Sequence, residues 1–223
     1  VNDDLMSWRR KAMIGLQYAW KRSGPLSWYA GLAGGFARTR PELDRPDVQF
    51  HFFPYSTDRT DPSLHRFSGF TMSVCKLRPD SRGTVNIKSA DAFAAPAIQP
   101  NFLERESDVA TMLDGLKLIR KLAATEALSR WIVAEHDPGR DCESDDQLVD
   151  FIRNKGITVY HPVGTCKMGA DPDAVVDTQL RVHGMQGLRV IDASVMPIVT
   201  SGNTNAPVIM IAEKAADTIL RSQ

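Results

Sequence analysis

Residues 158–212 are where the chain could do chemistry, because small and polar side chains cluster there between apolar flanks. The run Tyr160-His161-Pro162-Val163-Gly164-Thr165-Cys166-Lys167-Met168-Gly169 lies among turn-forming residues, and Thr200-Ser201-Gly202-Asn203-Thr204-Asn205-Ala206-Pro207 opens onto a helical pattern. A proline suits the first turn of a helix, and Asn203 or Asn205 is a suitable cap. A helix start presents unpaired N–H groups and the positive end of the helix dipole. That suits an anionic cofactor, or a ring that becomes anionic on reduction. Taken alone, His161 before Pro162 reads as a hydrogen-bonded structural residue, and Asn203 as a helix cap. His51 and His65 stand near strand ends and read as surface or loop residues. Cys166 follows His161 by five positions and suggests a metal pair, but no other cluster has zinc spacing, so no metal is expected.

The elements that must hold these residues can be read from periodicity. Leu5, Trp8, Ala12, Met13, Leu16 and Trp20 recur at helical spacing behind Asn2 to Asp4, which offer N-cap chemistry, and Ser23-Gly24-Pro25 ends that helix. Residues 25–46 hold Gly34-Gly35, Pro41 and Pro46 and read as an irregular connection. Strands are expected at Val48 to Pro54, Gly69 to Leu77 and Thr84 to Ile87, with an extended segment from Pro96 to Phe102. Residues 55–68, with Pro62, read as a loop, and Pro79 to Gly83 as a turn. Short strands in succession without long helices between them imply an antiparallel sheet over 48–101, backed by a helix at 107–124 whose apolar stripe is Val109, Met112, Leu113, Leu116, Ile119 and Ala123. Ser144 to Gln147 is a capping box and Gly156 closes the helix it opens. Leu188 to Asp192 reads as a short buried parallel strand, and Pro207 to Leu220 as the last helix. The class is α+β, with a boundary between 157 and 158. Trp8, Trp20, Trp28 and Trp131 are expected to pack, and Met72, Met112, Met196 and Met210 to lie in the core.

The bulk composition narrows the function classes. Of 223 residues, 43% are hydrophobic and 24% charged, an ordinary globular mixture. Lys plus Arg equals Asp plus Glu at 27 each, which argues against nucleic acid or an anionic membrane as the main partner. Cys75, Cys142 and Cys166 form no C-x-x-C, and their odd number fits a reducing, cytoplasmic setting better than a disulfide framework. No run of about 18 apolar residues marks a membrane span. The Val1-Asn2-Asp3-Asp4 start does not read as a signal peptide, and a helix start without Met reads as part of something longer.

Three stretches, HPVGTCKMG, LRVIDASVMP and SGNTNAP with the helix after it, resemble the C-terminal signature of the glucose–methanol–choline (GMC) family of flavin-dependent oxidoreductases. The resemblance is dense over 158–220 and weaker over 77–125, where LRPDSRGTVNIKS and the helix after Asn101 resemble the start of the family's C-terminal region. Residues 1–76 look like the latter part of its substrate-binding sheet. The resemblance implies that residues 1–157 are a substrate-binding domain. It implies that 158–223 are a catalytic segment whose strand and helix complete an FAD-binding domain. His161 matches the catalytic histidine. Asn203 matches a position, His or Asn in different members, that hydrogen-bonds the substrate oxygen. Asp192 and Ala193 match the part that meets the ribityl–pyrophosphate region of FAD. Asn205, Ala206 and Pro207 match the part against the pyrimidine side of the isoalloxazine. The implied reaction oxidises a primary alcohol (choline-like, aliphatic or polyethylene-glycol) to an aldehyde by hydride transfer to flavin N5.

The family's G-x-G-x-x-G loop for FAD is not in this sequence. The nearest text, Gly31-Leu32-Ala33-Gly34-Gly35-Phe36, has the wrong spacing. The missing N-terminal FAD-binding half would therefore be supplied from outside this chain, which alone is not expected to hold FAD. Three settings follow: part of a longer enzyme, an inactive C-terminal fragment, or a subunit paired with a separate N-terminal chain.

Overall fold

A computed structural model describes residues 1–29, 31–57 and 63–221. Helix α1 (Asn2–Met6) is followed by α2 (Trp8–Lys21), and the single helix expected from the Leu5-to-Trp20 stripe is broken at Ser7, whose backbone is extended. Asn2 is not the cap its type suggested. It is the first residue of α1 and fully buried, and its Nδ2 donates to Ser56 O (2.9 Å) and His65 O (3.1 Å) while its Oδ1 accepts from Ser56 N (3.0 Å). A side chain carrying both donor and acceptor can satisfy loop backbone as readily as a helix end, and here the backbone of Ser56 and His65 takes it.

The next elements are β1 (Ala33–Ala37), β2 (Val48–Phe53), β3 (Thr71–Lys76), β4 (Thr84–Asn86) and β5 (Ala97–Gln99). They form not one sheet but two, ordered β1-β2-β3 and β4-β5. Strand β1 lies in the stretch expected to be irregular. It pairs antiparallel with β2, Gly34 opposite His51, and a Cβ on Gly34 would stand 2.8 Å from Phe50 O. Its glycines read as loop punctuation, yet in a strand they mark a close approach of backbones. Pro62 and its neighbours in the expected 55–68 loop lie outside the described residues.

Helices α3 (Glu106–Ala123), α4 (Glu126–Ser129), α5 (Asp145–Lys155) and α6 (Asn205–Arg221) complete the chain. Helix α3 backs the first sheet: a Cβ on Gly115 would meet Val74 Cγ2 at 2.9 Å and Val48 Cγ1 at 3.5 Å. Its Arg120 pins the irregular stretch that follows, donating to Glu135 Oε1 (3.1 Å), Gly139 O (3.1 Å) and Cys142 O (2.7 Å). The capping box of α5 forms: Gln147 N donates to Ser144 Oγ (3.2 Å) and Ser144 N to Gln147 Oε1 (3.0 Å).

The chain divides into two compact units, residues 1–75 with 111–156 and residues 76–110 with 157–223. The junctions fall after residues 75, 110 and 156, so residues 76–110 group with the C-terminal segment. Within residues 76–110 Asp108 is the tie. It is buried, and it accepts from Lys76 Nζ (2.6 Å), Asp80 N (2.9 Å), Ser81 N (2.8 Å) and the Ser81 hydroxyl. Burial works against its charge, but these donors outweigh it and hold the carboxyl at about 2.

The strand expected over Leu188–Asp192 does not form. Arg189 makes an isolated antiparallel bridge to Arg181, and Leu188 is 44% exposed. A strand needs a neighbouring ladder, and among the described residues this segment has only that bridge. Trp8, Trp20, Trp28 and Trp131 are exposed, Trp8 by 75% and Trp20 by 87%, and so is Met210, while Met196 is buried and Met72 and Met112 are half-buried. Among the described residues no helix is long and apolar enough to cross a membrane.

Candidate active site

The site is built in the second unit on a small core of Val176, Leu180, Val195, Met196, Ile211 and Ala215. Ile211 and Ala215, four residues apart, are the buried stripe of α6 and fix that helix by its middle turns. The loop carrying His161 is laced to the same core. Cys166 N donates to Ser194 O (3.0 Å) and Met168 N to Val195 O (2.8 Å), both in the 3-10 turn Ala193–Val195, and Gly169 N donates to Val176 O (2.9 Å). Gly164 turns this loop at φ +92, a left-handed backbone that a side chain would strain. Tyr160, just before His161, is also left-handed at φ 60, and its N–H donates to Thr158 Oγ1 (3.0 Å).

This scaffold brings His161 to the start of α6. Asn203 Nδ2 donates to His161 Nε2 (2.9 Å), and Thr204 Oγ1 faces His161 Nδ1 (2.9 Å). His161 is half-buried, Thr204 buried and Asn203 exposed, so the Nε2 side opens outward. Arg78 donates to the Ser201 hydroxyl and steadies the loop ahead of Asn203. Asn205 and Ala206, both exposed, are the first residues of α6; Pro207 is half-buried in its first turn, and Val208 N donates to Thr204 O (3.0 Å).

Asp192 and Ala193 stand at the start of the 3-10 turn. Asp192 Oδ1 accepts from Ser194 N (2.8 Å) and caps the 3-10 turn that anchors the His161 loop. Thr204 stands directly before α6, within the SGNTNAP stretch. A hydroxyl residue at such a position commonly bonds locally, which gives no sign of a partner 43 residues away.

His51 and His65 belong to the first unit. His51 lies in β2 with its ring 6.2 Å from that of Phe53. His65 is not a surface residue: it is half-buried, its Nδ1 is 2.6 Å from Ser56 Oγ, and its ring stacks on Phe67 at 4.8 Å. Among the described residues no group of three or more His, Cys, Asp or Glu is arranged to hold a metal ion.

Residues 79–212 match the family model described as GMC oxidoreductase. The chain is 43% identical over 212 residues to an alcohol dehydrogenase [acceptor] of Pseudomonas putida, covering 95% of this chain and 38% of that protein. It is 41% identical over 214 residues to an oxygen-dependent choline dehydrogenase of Cronobacter sakazakii, covering 96% of this chain and again 38% of the other. Among solved structures it resembles a formate oxidase variant of Aspergillus oryzae, with a TM-score of 0.89 at 26% identity over 100% of this chain and 44% of that one. It also resembles pyridoxine 4-oxidase from Mesorbium loti, with a TM-score of 0.76 at 30% identity over 83% of this chain and 37% of that one. The chain thus spans well under half the length of these relatives.

Proposed function

The chain belongs to the GMC oxidoreductase family, and from that premise we propose that it forms the C-terminal part of an FAD-dependent alcohol oxidoreductase. The observation that carries this reading is the 2.9 Å contact between Asn203 Nδ2 and His161 Nε2. An alcohol hydroxyl entering there donates its hydrogen to Nε2 and accepts one from Nδ2. His161 is then the general base, and Asn203 the donor that stabilises the alkoxide-like oxygen. An amide suits the second task because it offers an N–H without competing for the proton. When bound, FAD supplies the acceptor for the hydride that leaves the carbinol carbon.

The residues present fit the ring end of that cofactor. Helix α6 opens with Asn205 and Ala206 exposed beside the His161–Asn203 pair. The unpaired N–H groups of such a start favour negative charge by about 0.3–2 kcal/mol. Asn205, Ala206 and Pro207 would meet the pyrimidine side, and Asp192 with Ala193 the ribityl–pyrophosphate region. The adenosine end is served by an N-terminal FAD-binding half outside this chain: Gly34 and Gly35, the nearest approach to a dinucleotide loop, lie in β1. Residues 1–157 are assigned to substrate binding and 158–223 to the catalytic segment.

The product is an aldehyde from a primary alcohol, and choline-like, aliphatic and polyethylene-glycol alcohols all remain compatible. The His161–Asn203 pair selects the reacting oxygen and not the rest of the substrate. Support for the alcohol comes from the names of the relatives, alcohol dehydrogenase and choline dehydrogenase. The test is His161→Ala in the full-length flavoprotein. Removing a general base lowers kcat by about 10²–10⁴-fold, with flavin content unchanged. Near-normal turnover with flavin bound would overturn the assignment.

A further inference from the structure

We infer that Thr204 is a positioning residue, whose hydroxyl oxygen accepts the Nδ1 proton of His161 and so holds the imidazole in the tautomer whose Nε2 is basic. The inference rests on the reading of His161 as general base. Asn203 presents to Nε2 its Nδ2, an atom that only donates, so Nε2 accepts. A neutral imidazole that accepts at Nε2 carries its proton on Nδ1. The atom opposite Nδ1 is Thr204 Oγ1, at 2.9 Å. With the proton on Nε2 instead, the atom facing substrate would be a donor and could not take the hydroxyl hydrogen.

Thr204 is well placed to hold the ring. It is only 8% exposed, so bulk water competes poorly for Nδ1. Its carbonyl accepts from Val208 N in the first turn of α6, a helix fixed in turn by Ile211 and Ala215 in the core. Its branched side chain has few χ1 states, so a fixed backbone gives a fixed hydroxyl. The asymmetry is informative: the exposed partner, Asn203, meets substrate, and the buried partner, Thr204, sets the ring.

The experiment uses the full-length flavoprotein labelled with ¹⁵N at histidine. Thr204→Val keeps the branched shape and removes the oxygen. We expect kcat to fall about tenfold, the size of effect one lost hydrogen bond gives, with KM little changed. The His161 ¹⁵N resonances should move from the Nδ1–H pattern towards a mixture of tautomers, and Thr204→Ser should restore both readouts. An unchanged tautomer pattern in Thr204→Val would overturn the inference, as would a Thr204→Ser variant as impaired as the valine. His161→Ala made alongside separates the two readings. Near-normal turnover there sinks the general-base reading, while the ¹⁵N pattern still reads what Thr204 does to the ring.

Discussion

His161 has a hydrogen-bonding partner on each ring nitrogen, and the loss of the outer one, Asn203, should read differently from the loss of the base itself. If Asn203 steadies a developing alkoxide, Asn203→Ala in the full-length enzyme raises the barrier by about 2–4 kcal/mol. Asn203→Asp keeps a polar side chain next to the helix start but sets a carboxylate beside the alkoxide. It should hold the melting temperature and still lose rate, and a variant with wild-type kcat would count against the role. Asp108 answers to pH instead. Its folded carboxyl sits at about 2 against an ordinary 3.8, so its contribution is fully present above about pH 4. It is lost as pH falls through about 2. Asp108→Asn should therefore lose about 1–2 kcal/mol of stability at pH 7. Thermal melts of the two proteins should converge as pH drops from about 4 towards 2, and a gap independent of pH would refute the role. His161 and Asn203 were legible in sequence because their neighbours spell a motif. Thr204 and Asn2 were not, because each bonds a residue more than 40 positions away, and a single side chain carries no sign of its distant partner.

At the scale of elements, the segments that read correctly were those whose own periodicity or caps decide them. The α3 stripe and the Ser144–Gln147 box are of that kind. The misread ones depend on a neighbour: β1 becomes a strand because β2 lies beside it, and Leu188–Asp192 fails to become one for want of a ladder. The glycines of two helices sharpen the same contrast. Gly15 in α2 has open space where a Cβ would stand, whereas Gly115 in α3 faces Val74 Cγ2 at 2.9 Å. Alanine is preferred to glycine inside a helix by about 1 kcal/mol, so Gly15→Ala should raise stability by about that amount. At Gly115 the stiff, branched Val74 cannot swing away, and overpacking costs about 1–3 kcal/mol. Gly115→Ala should therefore be a net loss. Denaturant midpoints for the pair would decide it, and a gain at both positions would mean that α3 does not press on the sheet.

For the whole chain, the second unit is assembled from residues 76–110 and 157–223, so neither stretch of sequence is a structural unit alone. That residues 76–110 join the C-terminal segment was not legible, because the grouping involves residues far apart in sequence, such as Arg78 with Ser201. The flavin question also belongs to this scale. With no dinucleotide loop in the sequence, the purified 223-residue chain should carry no stoichiometric FAD. A yellow preparation with one flavin per chain would defeat that expectation.

The exposed tryptophans give the chain an optical character of its own. Trp8, Trp20 and Trp131 meet solvent with most of their surface, so the indole emission of this polypeptide should be red-shifted and open to collisional quenching by iodide. Any partner that settles over α2 should shift that emission to the blue and shield Trp8 and Trp20 from iodide. The fluorescence thus reports, without any label, whether α2 has been covered.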